Sequence, residues 1–363
     1  MTPEGTRAIL VANALGLALQ SGRLPERARP RASELLEALA APVRISVVGP
    51  PGVGKTAVVN LLVGAPAVPD TLTLGVLQLV HGPTRRAVLT LRSGSEIVVT
   101  DRDGLARAAR ADPAMARLES PLEVLKTVSL TELALPDGDV ARTRALRWLA
   151  PRTDYTIWCT DGFDEGERAA WATVPKRMRD ASILLRTRID RFDEPFDVAL
   201  ARLRDWAGED FPEVRVISAH LARIAQAQAR LNRSVFRKAG ATALMTHLMG
   251  FIERRRQGIG DQAQFLLAHH GLPITAETGP TPPEPDPDAA PEAAPDSDDT
   301  PDGGGGGGRG GGRSGSPLLR IDLHDVPLYQ SAEAGPGPER PRRVSSLQGL
   351  DTFDFLNRDR NLR

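Results

Sequence analysis

The chain has 363 residues, of which 41% are hydrophobic, with a formal net charge of +0 and a single cysteine. That is enough apolar material for one substantial core; a balanced charge excludes whole-chain attraction to nucleic acid or an anionic membrane surface, and one cysteine excludes an internal disulfide. No run reaches the roughly 20 apolar residues of a spanning helix, so the expectation is a cytoplasmic protein that does not insert directly into a membrane.

Residues 6–20 and 32–41 read as two helices separated by Gly22, Pro25 and Pro30, and residues 1–42 are expected to pack on the core that follows. Residues 43–48 form a β-branched run of strand length. The turn Gly49-Pro50-Pro51-Gly52-Val53-Gly54-Lys55-Thr56 comes next, and a helical pattern starts at Ala57. This is the G-x-x-x-x-G-K-[ST] phosphate loop, the Walker A motif, in the strand-loop-helix context that it requires. Its glycines let the amides of Gly49, Gly52, Val53, Gly54 and Ala57 turn toward phosphate. Lys55 reaches the outer phosphates, and the Thr56 hydroxyl is placed for Mg²⁺.

Three short runs at 74–80, 86–91 and 95–100 predict an antiparallel meander. A helix is expected at 103–111, and strands at 127–135, 154–160, 181–187 and 213–218 alternate with helical segments at 141–149, 166–178 and 195–206. Such alternation predicts an α/β fold with a mostly parallel sheet flanked by helices. Cys159 lies in an apolar run and reads as a buried thiol. Helices are expected at 221–233 and 240–256, then a separate short one within 259–271.

From about residue 272 the pattern dissolves into Pro, Gly, Asp and Ala, which predicts a disordered tail over 272–363. Two apolar islands, around Leu318 to Tyr329 and Leu347 to Leu356, interrupt it and are expected to gain order only against a protein partner.

The purine is read elsewhere. The strand at 181–187 runs into Thr187-Arg188-Ile189-Asp190, which resembles the [N/T]-K-x-D motif of GTPases, and Ser218-Ala219-His220 follows the next strand where GTPases place S-A-K. The Asp190 carboxylate accepts from guanine N–H groups that adenine lacks, and the Arg188 stem takes the place of lysine over the base. The Ala219 amide is the counterpart of the group that contacts guanine O6. With Asn60-Leu61-Leu62-Val63-Gly64 after the loop and Pro69-Asp70-Thr71-Leu72-Thr73 beyond it, residues 43–258 resemble the dynamin-like GTPase family. The resemblance implies a GTP and Mg²⁺ site, with Thr73, or Thr71 as fallback, as the switch threonine that joins Thr56 at the metal and Lys55 in catalysis.

Two departures bear on turnover. Where that family carries D-x-P-G, this chain has Ala134-Leu135-Pro136-Asp137-Gly138, leaving Asp137 or Glu132 as substitutes only after a register shift. The loop also offers Pro51 and Gly52 where the family orients water. The expectation is a slow GTPase or pseudo-GTPase acting as a nucleotide-gated adaptor through its tail. One alternative is an AAA+-like ATPase, since the loop wording fits that class, although residues 156–161 end in Asp161 without an adjacent glutamate. The other is a non-catalytic scaffold that presents the tail.

Overall fold

A computed structural model describes residues 3–274, except 70, 71, 73, 192–194, 229 and 273. The expected tail disorder, its apolar islands and the switch candidates Thr71 and Thr73 therefore lie outside the described residues.

Two helices open the chain, α1 (Pro3–Gln20) and α2 (Arg29–Ala40). Then come β1 (Val43–Gly49), α3 (Lys55–Val63), β2 (Val76–His81), β3 (Arg86–Leu91), β4 (Glu96–Val99), α4 (Arg102–Ala109), β5 (Pro113–Ser120) and α5 (Val124–Thr127). The second half runs β6 (Val128–Ala134), α6 (Asp139–Leu149), β7 (Tyr155–Thr160), α7 (Glu165–Ala172), α8 (Lys176–Asp180), β8 (Ser182–Arg186) and α9 (Phe196–Ala207). It closes with β9 (Val214–Val216), α10 (Ala219–Ala227), α11 (Arg233–Lys238) and α12 (Ala241–His269).

Among the described residues, nine strands join one sheet in the order β4-β3-β5-β2-β6-β1-β7-β8-β9. From β6 through β9 the neighbours are parallel, and β2 pairs antiparallel to β6. Central β7 and β8 are buried at every position, as expected of parallel strands covered on both faces. One face is covered by α3, α10, α11 and the start of α12, the other by α6, α7, α8 and α9. The α/β expectation holds.

The meander does not form as expected. β5 lies between β2 and β3, parallel to the former and antiparallel to the latter, so those two are not neighbours. The break near residue 260 is also absent, because α12 is one helix of 29 residues. Its first half adds Leu244 and Leu248 to the sheet core. Its last half adds Ala263 and Leu267 to a separate cluster with Val11, Leu15, Leu24, Ala32 and Leu35. The N-terminal helices thus pack on the end of α12 and not on the sheet, and Arg7 and Arg31 donate to Gln264 and Gln262 at 2.5 and 2.6 Å.

Candidate nucleotide site

Because β1, β7, β8 and β9 are parallel, the turns after them open at one edge of the sheet, where α/β proteins bind ligands. The phosphate loop leaves β1 there. A Cβ on Gly49 would lie 2.1 Å from the Cys159 carbonyl oxygen, so only glycine lets the loop pass this close to β7. Gly54 caps α3 with a φ of 95° and no side-chain bond, which leaves the first amides of the helix for a ligand.

Lys55 is buried, and its ammonium donates to the Pro50 carbonyl at 2.6 Å. The Thr56 hydroxyl donates at 2.8 Å to Oε1 of Glu132, on the strand beside β1. The second oxygen of that carboxylate, Oε2, is buried without a hydrogen-bond partner. Burial pushes Lys55 down, against the pull of Glu132, and pushes Glu132 up, against the Thr56 hydrogen bond and the Lys55 charge. In both groups burial outweighs the attraction of the opposite charge.

The base-reading candidates converge on the same loop. Thr187 donates its hydroxyl to the Val53 carbonyl, and its own amide donates to the Thr160 carbonyl at 3.0 Å. Arg188 adopts a left-handed φ of 56°. Its Cγ and Nε lie 3.7 and 3.5 Å from the point that a Cβ on Gly54 would occupy, so its stem lies along the phosphate loop. A side-chain-bearing residue in this conformation is uncommon, and here the turn sends Thr187 inward while Asp190 stays exposed. Ser218 donates to Asp190 Oδ1, and its oxygen accepts from the Leu221 amide at 3.2 Å, capping α10. Ala219 is the first residue of that helix, and His220 is exposed.

Of the two substitutes for the missing aspartate, Glu132 reaches the loop whereas Asp137 is exposed on the turn before α6. Ala134 pairs in register with Gly49, and Leu135 donates to the Gly49 carbonyl at 3.0 Å. Asn60 has a role that sequence reasoning left without a mechanism. Its side-chain amide exchanges two 2.8 Å hydrogen bonds with the backbone of Val68, fixing the chain beyond α3. Cys159 is fully buried, and burial pushes its thiol up. For the ATPase alternative, Asp161 lies on the exposed turn after β7.

No family model matches the chain. Among curated proteins, GTPase Der of Desulforudis audaxviator (strain MP104C) is 40% identical over 96 residues, covering 26% of this chain and 20% of that protein. GTPase Der of Symbiobacterium thermophilum (strain DSM 24528 / JCM 14929 / IAM 14863 / T) is 32% identical over 114 residues, covering 31% and 21%. The chain thus spans about a fifth of the length of these relatives. Two similar solved structures come from an oligomerised bacterial dynamin pair, described as providing a mechanism for the long-range sensing and tethering of membranes. One has a TM-score of 0.52 at 14% identity over 74% of this chain and 56% of the other. The second has a TM-score of 0.46 at 15% identity, covering 70% and 43%. The fold is similar to that of the bacterial dynamin. Among the described residues, no helix is long and apolar enough to cross a membrane.

Proposed function

We propose that this chain binds GTP with Mg²⁺ at the carboxyl edge of its sheet, turns it over slowly or not at all, and uses occupancy to gate a protein partner that docks on its C-terminal tail. The observation that carries the guanine assignment is the pair of side-chain hydrogen bonds from Thr187 to the phosphate loop and from Ser218 to Asp190. They tie the base reader to the phosphate grip, so one ligand can span both. Asp190, held by one oxygen, keeps the other for guanine N–H donors.

In this reading Lys55 and the amides of Gly49, Gly52, Val53, Gly54 and Ala57 hold the phosphates, and the Arg188 stem lies beside the base. Mg²⁺, when bound, would neutralise charge on the phosphates, and Thr56 and Glu132 would hold it, because a hydroxyl and a carboxylate oxygen without a partner converge there. Weak turnover follows from what the loop presents. Pro51 and Gly52 are exposed and offer no side chain to orient water, and Ala134 occupies the family's aspartate position.

The test is displacement of a fluorescent GTP analogue by unlabelled GTP or ATP with Mg²⁺ present. The expected result is displacement by GTP at far lower concentration than by ATP, lost in Lys55→Ala. Preference for ATP would reject Asp190 as the base reader and favour the ATPase alternative. Absence of binding at millimolar nucleotide would leave the scaffold reading.

A further inference from the structure

The structure points to Glu132 as the carboxylate that anchors the Mg²⁺ of the bound nucleotide, a role we infer for it in place of the aspartate that this chain lacks. The inference rests on the GTP reading above and adds to it a residue two positions upstream of the one that the motif designates. A glutamate is one methylene longer than an aspartate. From its position on β6, opposite Val47 in β1, it reaches the first turn of α3 and touches the Thr56 hydroxyl.

Three observations converge. Glu132 Oε1 already accepts from the threonine that ligates the metal in this reading. Glu132 Oε2 is buried with no hydrogen-bond partner, and a buried carboxylate oxygen left bare is costly unless something occupies it part of the time. Lys55, whose charge acts on Glu132, donates to the Pro50 carbonyl and makes no close ion pair with the carboxylate. A hard divalent cation with oxygen ligands suits the open position.

The test separates this inference from its parent. The Mg²⁺ dependence of GTP-analogue dissociation is measured in wild type, Glu132→Gln and Lys55→Ala, with affinity in EDTA as the metal-free baseline. Glutamine keeps the shape of the side chain and an acceptor for Thr56. The expected result is a Mg²⁺ midpoint raised by about 10–100-fold in Glu132→Gln, the usual cost of removing a metal-site partner, with the EDTA affinity unchanged. An unchanged midpoint overturns the role of Glu132 while leaving the GTP reading standing; failure of the wild type to bind GTP overturns both. Should Glu132→Gln not fold, wild-type protein with ¹³C-carboxyl-labelled glutamate and Mn²⁺·GTP answers the same question. A ¹³C electron–nuclear coupling supports the assignment, and its absence rejects it.

Discussion

Asp190 owes its orientation to one hydroxyl. Ser218 donates to it from the cap of α10, so in the proposed function removing either side chain would disturb base reading without touching the phosphate loop. Asp190→Ala is expected to weaken GTP binding by about 1.5–3 kcal/mol, the range for hydrogen bonds to a charged group, and to leave ATP binding unchanged; competition titrations check this. Ser218→Ala should give a smaller loss in the same direction. A second residue-scale prediction concerns Asp154, which is buried below the sheet and bridged by Arg44 and Arg255 at 2.8 and 2.9 Å. Burial alone would raise its carboxyl, but the hydrogen bonds from Arg44 and both guanidinium charges outweigh that and hold it below the usual aspartate range. A depressed carboxyl contributes stability above its unfolded value, near pH 4, and that stability is lost as the pH falls through the folded value. Asp154→Asn should therefore lose less stability than wild type as the pH falls below about 4 in denaturant titrations, and Asp154→Ala should cost about 3 kcal/mol at neutral pH. At this scale the phosphate loop and the Thr187, Asp190 and Ser218 set were legible in the sequence, because local chain geometry dictates those residue types. Glu132 was legible only as one of two substitutes. Which carboxylate reaches Thr56 depends on the register of β6 against β1, and a pattern of residues does not encode it.

Elements read well where periodicity was strong and poorly where burial overrode propensity. β5 begins with a proline and carries two alanines and a glutamate, a composition that does not announce a strand; it forms because the sheet supplies neighbours on both sides. The end of α12 shows the converse. Gly258 and Gly260 lie inside this one helix, where two were expected, and each costs roughly 1 kcal/mol against alanine in a helix interior. The helix continues because Ala263 and Leu267 are fully buried against α1 and α2. Two predictions follow from that balance. Gly258→Ala and Gly260→Ala meet no atom within 4 Å, so each should raise stability by about 0.5–1 kcal/mol in chemical denaturation. Leu267→Ala should cost about 2–5 kcal/mol, since it empties a buried site in the small helical cluster. Hydrogen exchange should place that loss in α1, α2 and the end of α12, with the sheet protected as before.

For the molecule as a whole, the proposed nucleotide site sits where the elements around it are joined only by turns. The phosphate loop, the Thr187 to Asp190 turn and the cap of α10 belong to three different strand ends, and side-chain hydrogen bonds hold them together. A ligand bridging all three stabilises the folded state by mass action, about 2.7 kcal/mol at a concentration one hundred times its Kd. For a domain of this size that is about 5–10 °C in Tm. GTP with Mg²⁺ is expected to produce such a shift, ATP to produce little, and Lys55→Ala to abolish it, all read by thermal unfolding. The gating half of the proposed function requires more than occupancy, because a nucleotide shifts a partner equilibrium only if it binds the partner-competent state more tightly. By reciprocity, a partner that engages the tail must tighten GTP binding by the same factor as GTP tightens the partner. Measuring both arms with full-length protein settles the point: equal, non-unit factors support a nucleotide-gated adaptor. Partner affinity that is identical with GTP, without it, and in Lys55→Ala would leave a GTP-binding domain whose tail acts on its own.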